Sequence, residues 1–247
     1  MKRLICLSLA LAFLCITLEG CAVMSNPDPP STIGEISFDS GYKGEHLVYI
    51  QENSEYVPYI VVTNDYQGNC LLVRKSVIST VKRMNDYDAY YENCEIDKYL
   101  NNDFLLTLGT LTDEIIQSNI IITDKSSLGC SGNTTKEISR KIFLLSLTEL
   151  CFDDSVNTGI EGRPLTYFEN PDNRIAYKDN GATSWWLRTP NSYYFSCIYG
   201  VGSDGGIGYG NAFDENGIRP AFCVPSSMRI VHSSVFTEEN AYTLENN

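Results

Sequence analysis

SWWLRTP, at residues 184–190, is the stretch on which the interpretation of the fold depends. It holds both tryptophans of the chain, followed by a leucine, an arginine and a proline. Along an extended strand, successive side chains point to opposite faces of the sheet. Trp185 and Leu187 would therefore share one face, and Trp186 and Arg188 the other. We predict that Trp185 and Leu187 belong to the hydrophobic core.

The face that carries Trp186 and Arg188 has two interpretations. In the first, Arg188 and the arginine of a similar late strand, Arg219, tie strands together through buried or half-buried carboxylates. In the second, these side chains line a groove for a sugar, a peptide or another surface polymer, with an aromatic ring to pack against the ligand. Trp186, Arg188 and Arg219 are therefore our candidate ligand-binding residues, and the structural interpretation stays open beside the functional one.

Short β-type runs lie on both sides of this stretch, separated by turn signals such as NDYQGN and SDGG. Residues 94–106 instead place apolar side chains at helical spacing. The apolar run 142–145 predicts a buried strand, and Ser146 with Glu149 predicts a capping box that starts a short helix. These patterns indicate an α+β domain with short helices in the middle and a β-rich, loop-rich C-terminal part. The side chains assigned to the core are Trp185, Leu187, Phe143, Leu145, Leu100 and Phe104.

The N-terminus has the pattern of a secretory signal peptide over residues 1–20. Two basic residues precede an apolar run at residues 4–18, and a small residue precedes Cys21. The sequence Leu-Glu-Gly-Cys resembles the bacterial lipobox, in which the cysteine is acylated, although Glu19 departs from the small or uncharged residue usual there. We expect a lipidated, palmitate-bearing Cys21, an extracytoplasmic protein and a membrane as partner through the lipid anchor.

Composition divides the remaining chain into three parts. Residues 21–34 are rich in proline and poor in apolar side chains, so we expect a flexible tether. Residues 35–232 are long enough for one α+β domain with its own core. Residues 233–247 are polar and acidic, and we expect a disordered tail.

Charge and cysteine content limit the function classes. The chain carries a formal net charge of −13, and a protein this acidic repels nucleic-acid phosphates. We therefore expect no nucleic-acid partner. Three of the nine cysteines lie in the first 21 residues. The other six are spaced too widely for a zinc site and are interpreted either as disulfides of an exported protein or as buried thiols.

Catalytic and metal motifs are sparse. The chain has two histidines, and no G-x-S-x-G motif occurs, so we assign no catalytic residue. Oxygen-rich segments at 153–159 and 169–173 raise calcium as the one cofactor to consider, but the first lacks the glycine and the late acidic residue of an EF-hand loop. We therefore assign no metal ligand and expect no cofactor.

Four segments occur in an order that resembles a known bacterial family. They are YENCEIDKYLNNDF, KIFLLSLTEL, WWLRTP and GIRPAF, and together they resemble the domain of unknown function 6273 family. Cys94 replaces the usual small hydroxyl residue, Tyr99 stands where tryptophan is common, and the arginine usual in this segment is missing. The layout is also similar to the C-type-lectin-like and formylglycine-generating-enzyme fold group. That likeness implies a C-type-lectin-like architecture and no activity.

These observations favour a membrane-anchored domain that binds a ligand without catalysis. The ligand would be a glycan, a peptide or a protein that the sequence does not identify. The alternative is an extracytoplasmic enzyme that acts on glycans or peptides of the cell envelope. Two facing carboxylates in a cleft, or His46 beside a hydroxyl group, would favour the enzyme.

Overall fold

A computed structural model describes residues 29–153, 158–233 and 241–245. Its largest element is a seven-stranded sheet in which most neighbouring strands are antiparallel. In spatial order its strands are β15 (Ile230–His232), β16 (Tyr242–Leu244), β1 (Leu47–Glu52), β2 (Glu55–Tyr66), β3 (Asn69–Arg74), β14 (Ala221–Val224) and β7 (Ile142–Phe143). The apolar runs at β3 and β14 are buried throughout, because strands in the middle of the sheet are covered on both faces.

A second, three-stranded sheet holds the tryptophan segment. Its strands are β10 (Trp185–Pro190), β11 (Cys197–Val201) and β12 (Ile207–Asn211). The SDGG stretch forms the turn between β11 and β12, as its glycines predict. The remaining strands form three small ladders: β4 (Lys82–Arg83) with β13 (Glu215–Asn216), β5 (Ser118–Thr123) with β6 (Thr135–Arg140), and β8 (Ala176–Lys178) with β9 (Gly181–Thr183).

One helical segment lies in the middle of the chain. It comprises α1 (Glu95–Tyr99), a π-helical turn (Leu100–Phe104) and α2 (Leu105–Thr107). The Cys94 thiol caps it by accepting a hydrogen bond from the backbone N–H of Asp97. Short 3₁₀ turns complete the structure at Ile33–Ile36, Phe38–Ser40, Gly109–Asp113, Lys125–Ser127, Thr148–Leu150, Thr166–Glu169 and Pro171–Arg174. The mixed α+β class, with a β-rich C-terminal part, is confirmed.

Both ends of the domain differ from the sequence expectation. Ile33, assigned to the tether, is fully buried, and its N–H donates to the carbonyl of Met228. Tyr242, assigned to the disordered tail, lies in β16, which pairs with β15 and runs parallel to β1. The few apolar side chains of these polar segments supply the buried contacts, and composition averaged over a segment conceals them. The predicted signal peptide and Cys21 lie outside the described residues.

All six side chains assigned to the core are buried in it. None of the six cysteines that the structure describes forms a disulfide, and three of them (Cys70, Cys94 and Cys223) are buried thiols. Cys70 and Cys223 lie on neighbouring strands, but Cys70 is opposite Val224, so the two thiols point to opposite faces of the sheet. Within the described ranges, no helix has the length and apolar character needed to cross a membrane.

Candidate functional site

The strand β10 leaves its partner halfway along its length. Trp186 is opposite Gly200 and Pro190 is opposite Ile198, so β10 uses four residues where β11 uses two. In this bulge, the N–H of Arg188 donates to the carbonyl of Leu145 instead of to β11. Regular alternation therefore ends at Trp186, and the Arg188 side chain is fully buried.

Arg188 forms a bidentate ion pair with Glu149, and both side chains are fully buried. Its two terminal nitrogens lie 2.7 and 3.0 Å from the two Glu149 oxygens. The remaining donors reach the carbonyls of Leu144, Ile121 and Glu161. Burial opposes the positive charge, but the Glu149 carboxylate outweighs that cost and raises the pKa of Arg188 above its ordinary value. The guanidinium is thus saturated by protein groups.

The capping box predicted at Ser146 and Glu149 is confirmed by its two hydrogen bonds. The N–H of Ser146 donates to Glu149 over 2.9 Å, and the N–H of Glu149 donates to the Ser146 hydroxyl over 3.1 Å. The hydroxyl of Tyr66 donates to the same carboxylate over 2.6 Å. A local helix-start signal therefore also supplies the anion that neutralises Arg188.

A second buried carboxylate, Glu161, lies beside this pair. It accepts hydrogen bonds from the backbone N–H of Thr123 and the hydroxyl of Thr189, each over 2.6 Å. The closest Glu161 oxygen is 3.8 Å from the Arg188 Nε. Burial raises the pKa of Glu161, although Arg188 opposes the shift. The network therefore places one buried cation beside two buried carboxyl groups.

Arg219 is also buried, but its surroundings are different. Its Nε donates to the carbonyl of Arg74 over 2.8 Å, and its guanidinium lies 5.0 Å from the Trp185 ring centroid and 5.9 Å from that of Phe168. No carboxylate forms an ion pair with it among the residues the structure describes. Burial lowers the pKa of Arg219 to about 10. Ring faces and carbonyl oxygens compensate its charge.

The three candidate ligand-binding residues therefore do not form one surface. Arg188 and Arg219 lie in the interior and belong to different hydrogen-bond networks. Arg188 is paired with a buried carboxylate, as expected if these arginines tie strands together. Trp186 is 3 % exposed, and its indole N–H donates to the carbonyl of Lys82 over 3.1 Å. Of the three, Trp186 alone lines a surface cleft.

The cleft beside Trp186 is open and its floor is rich in glycine. It encloses about 370 Å³ and is lined by Ser184, Trp186, Gly200, Val201, Gly202, Asp204, Gly206, Ile207, Gly208, Tyr209, Gly210 and Asn216. A methyl group built on Gly200 or Gly210 would lie 3.4 Å from the Trp186 ring, so the ring covers part of this glycine face. A methyl group built on Gly208 would meet no atom within 4 Å. The cleft is therefore a shallow space above the backbone of β12.

Next to the cleft lies a group of exposed aromatic rings, which we call the aromatic surface. Tyr194 contacts both Tyr193 and Tyr209, with ring centroids 4.9 and 6.0 Å apart, and Tyr87 contacts Phe195 at 5.4 Å. All five rings are exposed. None of the five was among the residues predicted from the sequence, although SYYFS at residues 192–196 is a compact aromatic signal. Exposed apolar groups in a contiguous patch are typical of interaction sites.

Catalytic arrangements are not formed around the expected groups. Glu149 and Glu161 do face a common cation, but both are enclosed, so they do not form the open cleft that a hydrolase needs. The Nδ1 of His46 lies 3.0 Å from the carbonyl of Ile36, and its ring packs against Phe38. Within the described ranges, no group of three or more histidine, cysteine or acidic side chains is placed to hold a metal ion.

Of the two oxygen-rich segments considered for calcium, only the second lies wholly within the described residues. Residues 154–157 of the first lie outside the described residues. The second forms the 3₁₀ turn Pro171–Arg174, in which the Asn170 side chain caps the N–H of Asp172 over 3.1 Å. Local capping thus explains the amide and acid content of this segment.

Comparison with known proteins supports a family and nothing finer. The family model described as domain of unknown function (DUF6273) matches residues 67–226, which include the helical segment, β10 and β14. Neither a curated protein nor a solved structure matches the chain. Because the matched region covers more than half of the sequence, the chain belongs to the DUF6273 family.

Proposed function

We propose that this protein is an extracytoplasmic lipoprotein whose domain binds a ligand at the aromatic surface and the adjoining cleft, without catalysis. The observation that carries the proposal is the set of five exposed rings, which lie in two contacting groups: Tyr193, Tyr194 and Tyr209, and Tyr87 with Phe195. Leaving such rings in water gives up apolar burial worth about 1.5–3 kcal/mol for a large side chain. A binding partner would recover that burial.

The experiment is a binding screen of the full chain on an array of glycans, peptidoglycan fragments and peptides, with and without calcium. The test variant combines Tyr194→Ala and Tyr209→Ala, and the matched control is Tyr177→Ala, an exposed tyrosine on β8. We expect the double variant to weaken binding at least ten-fold and the control to leave it unchanged. Binding that survives in the double variant would show that the ligand site lies outside the aromatic surface.

The membrane anchor is the second part of the proposal. It rests on the signal-like residues 1–20 and on Cys21 at the end of the lipobox-like sequence. Growth with an alkyne-tagged palmitate should label the chain, and Cys21→Ser should abolish both the label and the membrane-bound fraction. A labelled Cys21→Ser chain would exclude this residue as the lipid site.

The finer fold assignment, a C-type-lectin-like domain, is part of the same proposal. The short helical segment followed by a late β-rich part supports it, as does the pairing of a W-x-R strand with a late G-x-R segment: the N–H of Trp186 donates to the carbonyl of Gly217 over 3.0 Å. An experimental structure, compared strand by strand with C-type-lectin-like domains, would test it.

A further inference from the structure

The outer edge of β12 is unlike the other main sheet edges of the domain. The edge at β15 is covered, because the N–H of Ile230 donates to the carbonyl of Ser31. The edge at β7 is covered by the Asn101 side chain, which donates to the carbonyl of Ile142 and accepts from its N–H. In the described part of the chain, no strand pairs with the outer side of β12. This strand also lacks the lysine, proline or bulge that commonly protects an exposed edge.

The alternation of hydrogen bonds along the β11–β12 pair identifies which backbone groups of β12 face outward. The N–H of Gly202 donates to the carbonyl of Gly206, and the N–H of Ala212 donates to that of Ser196, both over 2.7 Å. Bonds to β11 therefore fall on the even-numbered residues of β12, since they alternate along an antiparallel pair. The N–H and C=O groups of Ile207 and Tyr209 consequently point away from the sheet, where another strand could bond to them.

The space beside this edge suits the side chains of an added strand. On one face of β12, Gly208 leaves the cleft open above the backbone, whereas Gly210 lies under the Trp186 ring. On the other face, Tyr209 is half-exposed and contacts Tyr194 of the aromatic surface. Successive side chains of an extended peptide point to opposite faces, so one set would enter the cleft and the other would contact the rings. Within each set, neighbouring side chains are about 6.6 Å apart, the length that two strand residues span.

The charge around the edge specifies the kind of peptide. Residues 189–218 contain three acidic residues and neither lysine nor arginine. Asp204 is the only charged side chain that lines the cleft, and it forms no ion pair in the described ranges. Both basic residues of β4 are engaged elsewhere: the Lys82 ammonium lies over the Tyr99 ring, and Arg83 is paired with Asp86 and Glu95. An acidic group and exposed rings together favour a cationic side chain.

We propose that β12 is a docking edge at which an extended, lysine- or arginine-containing peptide segment of a partner protein adds as a fourth strand. The proposal rests on the proposed binding function and names its ligand class. Backbone bonds at Ile207 and Tyr209 would supply affinity, and the cleft with Asp204 would supply side-chain preference.

The test starts from a displayed library of random ten-residue peptides, selected on the full chain, with a glycan array as the parallel arm. We expect enrichment of peptides with basic residues at alternate positions. Ile207→Pro removes one outward N–H without touching the bonds to β11, and Gly208→Leu fills the cleft. Each should weaken the best peptide at least ten-fold, and Asp204→Asn about three-fold. Tyr177→Ala should leave it unchanged, and thermal unfolding of each variant should show that the domain still folds.

The other outcomes separate this inference from the binding function itself. Glycan binding that depends on Tyr194 and Tyr209 and survives Ile207→Pro would overturn the peptide proposal and keep the aromatic surface as a ligand site. A dimer that Ile207→Pro converts to a monomer, with no peptide selected, would make the occupant a second copy and overturn the proposal. No ligand in either arm would overturn both proposals.

Discussion

The two outer strands of the three-stranded sheet, β10 and β12, differ in how the polar groups along them find partners. Every residue of β10 is buried, and its bulge sends Arg188 into a network whose donors and acceptors all have partners. In β12 every residue is at least partly exposed, and glycine alternates with larger residues. A buried strand must satisfy its polar groups within the chain, whereas an exposed strand can leave them for a partner. The more distinctive sequence, WWLRTP, thus belongs to the structural strand.

The largest expected effect comes from removing the cation of β10. Arg188→Met leaves the Glu149 carboxylate buried without its partner, and the carbonyls of Leu144 and Ile121 without donors. Breaking a buried pair in this way costs about 3–5 kcal/mol. We expect chemical denaturation to show a loss of that size in the free energy of unfolding, or a chain that no longer folds.

Arg163→Met is the matched control, because Arg163 pairs with Asp65 at the surface, where both side chains are more than half exposed. Exposed pairs contribute at most about 1 kcal/mol. If Arg188→Met were no more destabilising than this control, the buried network would not hold β10 in place.

The second prediction concerns Gly200 on β11, the strand between β10 and β12. A methyl group at Gly200 would lie 2.9 Å from the carbonyl oxygen of Trp185 and 3.4 Å from the Trp186 ring. Neither neighbour can move freely, so Gly200→Ala should destabilise the domain by about 1–3 kcal/mol. Thermal and chemical unfolding would measure the loss, and unchanged stability would mean that β10 can shift away from β11.

What the sequence could predict here is what depends on neighbouring residues. The spacing of Ser146 and Glu149 predicted the capping box, because this pattern acts within a few residues. Alternation also assigned Trp185 and Leu187 to the core, but every residue of β10 is buried, so it did not separate them from Trp186 and Arg188. The partner of Arg188 is 39 positions away in the chain, and no local pattern points from one to the other. An acidic chain offers many carboxylates, so charge alone could not select Glu149.

The aromatic surface was missed for a related reason. The sequence drew attention to Trp186 because tryptophan is rare, but a large ring packs on either a ligand or a glycine face, and the glycines that cover it lie on β11 and β12. Tyr87 and Phe195 come together only through the fold, since more than a hundred residues separate them. The strand β16 was missed because three residues in a polar tail carry too weak a pattern to be recognised.

The third prediction uses pH to examine the second carboxylate of the β10 network. Burial raises the pKa of Glu161 above its ordinary value of 4.5. The folded chain therefore binds the proton at a higher pH than the unfolded chain does. The contribution of Glu161 to stability is fully present below about pH 4.5 and decreases as the pH rises through the folded-state pKa.

Glu161→Gln removes this titration and keeps an acceptor for the N–H of Thr123. We expect a change in stability at neutral pH of no more than about 1.5 kcal/mol, the usual range of one hydrogen bond. We expect the unsubstituted chain to gain stability relative to Glu161→Gln as the pH falls from 7 to 4.5, measured as the difference between their free energies of unfolding. A difference that moves the other way would show that the folded state stabilises the ionised carboxylate.

The smallest effect is expected at Gly208, which lies directly opposite Gly200 in the sheet. A methyl group there would meet no atom within 4 Å, and the backbone is not in the left-handed region, so alanine fits without strain. Because glycine in a strand costs about 0.5–1 kcal/mol relative to alanine, Gly208→Ala should leave stability unchanged or raise it by up to that amount. The two glycines form a matched pair, and unfolding measurements on both alanine variants test the comparison directly. Equal losses at the two positions would mean that the face of β12 is already covered, and that its glycines serve packing, as Gly200 does.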